Sequence, residues 1–380
     1  MLDIELQTVS SGYDRKTCWV HARLGVIPGN PPIVVITMSK MRLTGSDVFY
    51  SLYEMRTDDG GSTWTSPVEH ADTLGRRRTE DGVDEGVANW WPAWHAKTGV
   101  LLGTGDTARY VKDDHAPGPM RCWATYSVYH PDTRTWIPWK KMEVDKFPIF
   151  CGGSQQRVDL PNGDILLPCT YSIPETARGA FYSQSVGIVA RCAFDGETLR
   201  YLEHGDELTI TTGRGLMEPS LAHFQGRFFL TLRNDDYGYV TSGTDGLHFD
   251  EPRVWAFDDG SDLGNYNTQQ HWVTMPDALY LVYTRRGANN DHVLRHRAPL
   301  FIAQVDTDRL RVIRDTEQIL VPERGARLGN FGVTRMNENE SWVAVAEWMQ
   351  TGPPDPYDFT VCERYGSDNS VFVAKIRCNK

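Results

Sequence analysis

Histidine, glutamine, glutamate and arginine recur in this 380-residue chain at two kinds of place, the head of a short segment and the end of the apolar run that follows it. The heads carry His21 with Arg23, Trp91, Gln156, Glu218, and Gln270 with His271. The apolar runs end on Lys40, Asp106, Tyr171, Arg233, the pair Arg285 and Arg286, and Glu347. Gathered at one site, such groups have a defined chemistry. Arginine forks bind a carboxylate through parallel N–H bonds. Two carboxyl groups serve as acid and base, or acid and nucleophile, across a glycosidic bond. A histidine is a base near neutral pH, and a tyrosine hydroxyl can protonate a leaving oxygen.

The elements that would position these residues repeat. Six copies of one pattern run from Cys18, Asn89, Gly153, Leu216, Thr268 and Gly329, each a short segment, a turn and an apolar strand. Their central residues His21, Trp91, Gln156, Glu218, His271 and Phe331 recur roughly every 50 to 70 residues, the period of a repeat built from short strands. The turns carry Gly, Asn, Asp or Pro, as hairpins require. A third strand follows most copies, as in "DVFYSLYEM" and "SVGIVARCAF". The pattern predicts an all-β fold, a six-bladed β-propeller forming one domain over 1–380. The blades would span about 15–75, 85–145, 150–210, 214–260, 265–325 and 326–380. The N-terminal "LDIELQTV" would close the ring and remove its open edge. Alternation along a strand separates the adjacent pairs, so Gln270 and His271, or Arg285 and Arg286, cannot both face the axis, whereas His21 and Arg23 share a face.

Composition bounds the partners. The net charge of −11 excludes a non-specific nucleic-acid binder. Aromatic residues make up 11% of the chain and serve equally for pleated surfaces and sugar platforms. The seven cysteines show no CxxC spacing, which predicts reduced, buried thiols, and no metal is expected. No cofactor is called for, although a structural Ca²⁺ on loop carboxylates is compatible with the sequence. No stretch is long and apolar enough to span a membrane. The N-terminus has no signal-peptide pattern, which predicts a cytoplasmic protein, or a secreted one if a leader has been removed.

One turn is more specific. "RTDDGGSTW", from Arg56 to Trp64, fits the pattern S/T-x-D-x-G-x-T-W through Thr57, Asp59, Gly61, Thr63 and Trp64. Weaker relatives lie at Ser242–Phe249 and His130–Trp136. This is the Asp-box, and with the sixfold repeat the chain resembles the sialidase superfamily over nearly its whole length. The Asp would accept backbone bonds and the Trp would pack between strands, a folding role without chemistry.

The resemblance implies an axial site with an arginine clamp for a carboxylate, a Tyr nucleophile partnered by Glu, and an Asp acid/base. Residue by residue, Glu218 matches the partner Glu, Arg233 matches one arginine, Arg23 stands where the first would be, and Asp47 lies in the loop expected to hold the acid/base. The third arginine has no clear match, with Arg285, Arg286 and Arg297 near its place. Phe331 occupies the region of the nucleophile, so a Tyr from elsewhere, Tyr171 or Tyr266, or another mechanism is required.

Three functions remain open. One is a hydrolase acting on a terminal acidic sugar of an anionic glycan, with Asp47 and Glu218 flanking the bond. Another is a lyase or His-dependent glycosidase at a uronic-acid linkage, with His21 or His271 as base, Arg233 or Gln270 on the carboxylate and Tyr171 as acid. The third is a sugar-binding or scaffolding propeller without catalysis. The expected substrate-binding residues are Arg23, Lys40, Trp91, Gln156, Arg233, Gln270, Arg285 and Arg286.

Overall fold

The structure is a computed structural model and describes residues 2–43, 47–116, 122–173, 184–351 and 358–378. Residues 44–46 of the loop before Asp47 lie outside the described residues. The strands form six antiparallel sheets, and the fold is an all-β propeller. In the first sheet Thr17–Ile27, Ile33–Arg42, Phe49–Thr57 and Val68–Glu69 pair in succession. The fourth repeats this order with Met217–Phe224, Arg227–Arg233, Gly238–Gly243 and Arg253–Val254. The leading strands of neighbouring sheets lie against one another around a central axis. Leu2–Ser10 pairs with Val371–Cys378, from Leu2 opposite Cys378 to Ser10 opposite Val371. The first and last segments of the described chain therefore share one sheet, in which Leu2–Ser10 is the outer strand and covers the edge of Val371–Cys378.

The strands are apolar on both faces because each sheet is covered on both faces. Along Ile33–Arg42, Val34, Ile36 and Met38 enter a core shared with Ala344 and Val373 of the sixth sheet. Val35 turns the other way, into a core with Trp90 and Leu101 of the second. Period-two alternation thus feeds two separate cores from one strand, which is why the run reads as continuous hydrophobicity.

The turn at Asp59 is built by its own side chains. Asp59 Oδ1 accepts the backbone N–H groups of Ser62 at 3.0 Å and Thr63 at 2.9 Å, and Oδ2 accepts the Thr63 hydroxyl at 2.6 Å. These donors, led by the Thr63 hydroxyl, lower the Asp59 carboxyl to about 2. Gly60 and Gly61 take φ of 70° and 84°, the left-handed region in which a glycine carries no Cβ penalty. Trp64 packs on Trp342 of the sixth sheet, with ring centroids 6.4 Å apart. The same carboxylate cap recurs where sequence matching is weak or absent. Asp245 accepts Leu247 and His248 N–H, Asp195 accepts Glu197 and Thr198, and Asp306 accepts Asp308 and Arg309.

The cysteine expectation needs correction. Cys122 and Cys151, 29 residues apart, are joined as a disulfide. The backbone brings them together, since Phe150 N–H donates to the Cys122 carbonyl at 2.9 Å. Cys18, Cys169, Cys192 and Cys362 are free and buried. No helix of the described residues is long and apolar enough to cross a membrane.

The axis is filled. Arg23, fully buried, crosses it to bond four other sheets. Its Nη2 donates to Ser154 Oγ and Gln269 Oε1, both at 3.0 Å, its Nη1 to the Trp90 carbonyl and its Nε to the Phe331 carbonyl, both at 3.3 Å. Its guanidinium lies 5.5 Å from the Trp91 ring. His271 sits edge-on between Trp91 at 4.7 Å and Phe331 at 4.8 Å, and shares a 2.9 Å hydrogen bond with Ser220 Oγ. Gln156 bridges to the backbone of Trp272 through both ends of its amide. These residues form a buried polar layer whose members largely satisfy one another, Gln269 Nε2 being an exception. Replacing Arg23 by Ala leaves its acceptors unmet and opens a cavity. That change is expected to cost about 3 kcal/mol or more of stability, and an unaltered urea midpoint would refute the account of this layer.

Candidate active site

The floor at Arg23 and His271 is made possible by a repeated kink. His21, Asn89, Ser154 and Glu218 have φ of 56°, 53°, 64° and 44°, left-handed values that non-glycine residues rarely adopt. Three of these sites are bulges, with register breaks at Val20/Arg23, Ala88/Trp91 and Met217/Ser220. A bulge re-aims side chains without ending the strand. In the fourth sheet it sends Ser220 into the floor and leaves Glu218 half-buried above it.

Above the floor, cations converge. Arg233 Nη1 pairs with Glu218 at 2.8 Å, and its Nη2 donates to Asn267 Oδ1 at 2.6 Å. Asn267 Oδ1 also accepts Arg214 Nη2 at 3.0 Å, and its carbonyl accepts Arg297 Nη2. Arg297 Nη1 reaches Asn330 Oδ1 at 3.3 Å. Arg327 lies 3.7 Å over the Trp348 ring and donates to Gln350 Oε1 at 2.5 Å. Arg297 and Arg327 are 3% and 2% exposed, and neither has an ion-pair partner among the described residues. Burial, then the charges of Arg233 and Arg327, pushes Arg297 well below the ordinary arginine value. Arg327 falls to about 9, through burial and then Arg295, against the opposing charge of Asp47. The Nε groups of Arg233, Arg297 and Arg327 are buried without a hydrogen-bond partner, as is His21 Nδ1. Desolvated cations with unmet donors make a site for an anion.

Two carboxyl groups face this cluster in opposite states. Arg233 holds Glu218 below the ordinary carboxylate value despite its burial. Asp106, 5% exposed, enters no ion pair among the described residues and accepts Gly153 N–H at 2.6 Å and the Asn89 amide at 3.2 Å. Burial therefore dominates and raises Asp106 to about 7, with the negative charge of Glu218 adding to the shift. The two environments thus drive the proton affinities of the two carboxyls apart.

The expected residues divide between layers. Glu218, Arg233, His21 and Asp106 belong to the cleft, and the charge of Asp47 reaches it at Arg327. Arg23, Trp91, Gln156 and His271 lie in the floor, where His271 is fully buried and held well below its ordinary value by desolvation. Gln270 is locked between Thr231 Oγ1 and the Thr268 carbonyl. The remaining candidates lie elsewhere. Tyr171 donates to Glu207 at 2.8 Å, Arg285 is forked on Glu317, and Arg286 lies 4.7 Å over Tyr266. Lys40 sits between Trp19 and Tyr53. Glu347 is capped by the N–H groups of Asp368 and Ser370. Arg327 escaped the sequence reading, and Arg297 entered it only as a neighbour of the expected place. Both precede strands on irregular segments, "LRHRAP" and "RGARLGN", where no periodicity reports direction. Among the described residues one trio of possible metal donors converges, Asp106 with Cys122 and Cys151, and its two sulfurs are bonded to each other.

Neither a protein-family model nor a curated protein matches the chain. Solved structures do. A Dyadobacter fermentans protein of unknown function is similar over 98% of this chain and 99% of its own, at 11% identity and a TM-score of 0.59. Trypanosoma rangeli sialidase, in complex with the inhibitor DANA, is similar over 98% of this chain and 59% of its own, at 12% identity and a TM-score of 0.65. A Hadza microbial sialidase is similar over 94% of this chain and 65% of its own, at 12% identity and 0.61. The chain thus shares the sialidase propeller fold while spanning less than two thirds of those sialidases' lengths.

The two shifted carboxyls give stability a pH signature. The folded chain binds the Asp106 proton more tightly than the unfolded chain does. That contribution is fully present below the ordinary value of 3.8 and is lost as pH rises to about 7. Glu218 acts oppositely, with a contribution present above its ordinary 4.5 and lost as pH falls further. Unfolding titrations should show a component that declines from about pH 4 to 7. Asp106→Asn should remove it, and a slope identical to wild type would sink the assignment.

Proposed function

We propose that this protein is a sialidase-like glycoside hydrolase that removes a terminal, carboxylate-bearing sugar from a glycan. Each of the six sheets is read as one blade of a six-bladed propeller, and the Asp59 turn as an Asp-box. The observation that carries the reading is the convergence of Arg233, Arg297 and Arg327 above a closed floor, with unmet N–H donors and two cations lacking counter-ions. A substrate carboxylate would supply the missing negative charge, and guanidinium forks suit its two oxygens.

In this mechanism the arginines orient the sugar by its carboxylate. Asp106, protonated up to about 7, donates its proton to the leaving oxygen. Glu218, kept ionised by Arg233, activates water or attacks the anomeric carbon. Asp47 contributes its charge from the loop beside Arg327. Phe331 offers no nucleophile, since its ring packs on His271 in the floor. That favours an acidic sugar other than an ordinary sialoside, because a carboxylate attacking next to a substrate carboxylate meets repulsion. Elimination loses support, because its base would be His271, locked in the buried floor, or His21, whose basicity burial and then the charges of Arg23, Arg297 and Arg327 hold well below that of an ordinary histidine.

The test is a screen of sialosides, glucuronides and rhamnosyl-glucuronides, read by reducing-end release and by ultraviolet absorbance. Release of a saturated acidic sugar is expected, and an unsaturated product or no release from any of these would overturn the proposal. Arg297→Ala and Arg233→Ala should each lower kcat/KM about 100-fold, near 3 kcal/mol, with little recovery in the Lys variants. Equal activity of wild type and variant on the acid and on its methyl ester would contradict the carboxylate clamp. kcat/KM should also fall as pH rises through about 7, as Asp106 loses its proton. A falling limb that survives in Asp106→Asn would assign the acid elsewhere.

A further inference from the structure

Beside the loop that carries Asp47 the surface opens into two clefts of about 430 and 570 Å³. Both are lined by Thr17 and Tyr50, so they form one groove with Tyr50 at its junction. Five cations line it, Arg15, Lys16, Lys40, Arg42 and Arg76, against two carboxylates, Glu69 and Asp113. In a chain of net charge −11 this is a local reversal of sign.

Asp113 is already shared by Arg42 at 2.6 Å and Arg76 at 3.4 Å, and Arg15 is forked on Glu363 at 3.0 and 3.3 Å, whereas neither Lys16 nor Lys40 enters an ion pair among the described residues. Aromatic rings alternate with these charges. Arg76 lies 5.0 Å from the Tyr50 ring, and Lys40 lies 5.4 and 5.7 Å from Trp19 and Tyr53. Cations set among half-exposed rings are how a surface holds a flexible anionic polymer.

The groove and the arginine cluster share a neighbour in Asp47, whose charge acts on Arg327. Asp47 lies between Arg42 and Tyr50, both of which line the groove. The Tyr110 hydroxyl donates to the Asp47 carbonyl at 2.9 Å, and its oxygen accepts Phe49 N–H at 3.1 Å. Arg76 lies 4.0 Å over the Tyr110 ring and donates to the Phe49 carbonyl at 2.8 Å.

We infer that this groove binds the continuing chain of a polyanionic glycan, a run of carboxylate-bearing sugars whose terminal unit occupies the axial cleft. The inference rests on the glycosidase reading of that cleft and deepens it, because it makes the substrate an acidic polymer rather than a neutral glycan with one acidic cap. The chain's net charge of −11 disfavours the longer-range hold on a nucleic-acid backbone.

The test is affinity electrophoresis of the full chain through gels containing polygalacturonate, with dextran as the neutral control. Wild type, Lys16→Glu, Tyr50→Ala, the double variant and Arg233→Ala are compared. Retardation by polygalacturonate alone is expected, weakened about tenfold in the double variant and largely kept in Arg233→Ala. On cleavable acidic oligosaccharides, the double variant should lose the gain in KM from chain extension while turning over a single-unit aryl glycoside like wild type. Absent retardation, equal retardation by dextran, or retardation that only Arg233→Ala abolishes would overturn the groove. Displacement by an oligonucleotide but not by an acidic oligosaccharide would overturn it in favour of a nucleic acid. Retardation that depends on Lys16 and Tyr50, with no sugar released from any glycan, would leave the groove standing and reject the hydrolase reading alone.

Discussion

Arg23 is a cation with no ion-pair partner among the described residues, enclosed where the sheets meet. A charge so placed is tolerable only if polar groups surround it. Here they come from the second, third, fifth and sixth sheets, as two carbonyls, a hydroxyl and an amide oxygen. Each sheet must therefore present a particular atom at a particular height, and the ring has little freedom to slide. Gly332 shows how close the approach is, because a Cβ there would stand 2.6 Å from Arg23 Cγ. The burial of Arg23 lowers its proton affinity to about 10, still far above neutrality, so the side chain remains a cation in its cage.

That constraint divides the axis into two regimes. Below and between the sheets, side chains alternate into dry apolar cores. Above the floor, the bulges turn the chain so that polar residues rise. The left-handed residues lie along this boundary, and their strain is held by packing that overdetermines the backbone. A closed floor also limits water to one side. The electrostatics of Glu218, Asp106 and the arginines thus act in a setting more polarisable than a core yet far less screened than a surface.

Much of the fold is legible in the sequence because it repeats. A hairpin turn, an apolar run and a polar head mark each sheet, and the cap at Asp59 is explicit in its residues. Caps at Asp195 and Asp306 are less visible because the carboxylate makes the turn and the neighbouring Thr and Trp do not. Glu218 and Arg233 could be paired in advance, since adjacent strands bring them together in register at Met217 and Arg233. Height along the axis is a different matter. Alternation tells whether a side chain faces the axis, not whether it lies in the floor or above it, so His271 and Trp91 look as eligible as Glu218. Arg297 and Arg327 arrive on irregular segments, whose course depends on contacts distant in sequence, such as Arg327 on Trp348 and Arg297 on Asn330.

The distribution of charge closes the account. An acidic chain has no shortage of carboxylates to neutralise its arginines, and elsewhere it does so freely, as in Arg285 with Glu317 and Arg214 with Asp235. Above the floor, as at Arg23 within it, buried guanidiniums are left with neutral polar groups and a ring for company. The mutual repulsion of those above the floor opposes folding, and their Nε donors stay unmet. A protein under selection for stability alone could relieve this with one more Asp or Glu. The nearest one, Glu218, instead pairs with Arg233, and Asp106 stands apart and uncharged up to near neutrality. The arrangement withholds negative charge from the centre of the cleft, and a bound anion is the simplest physical means of restoring it.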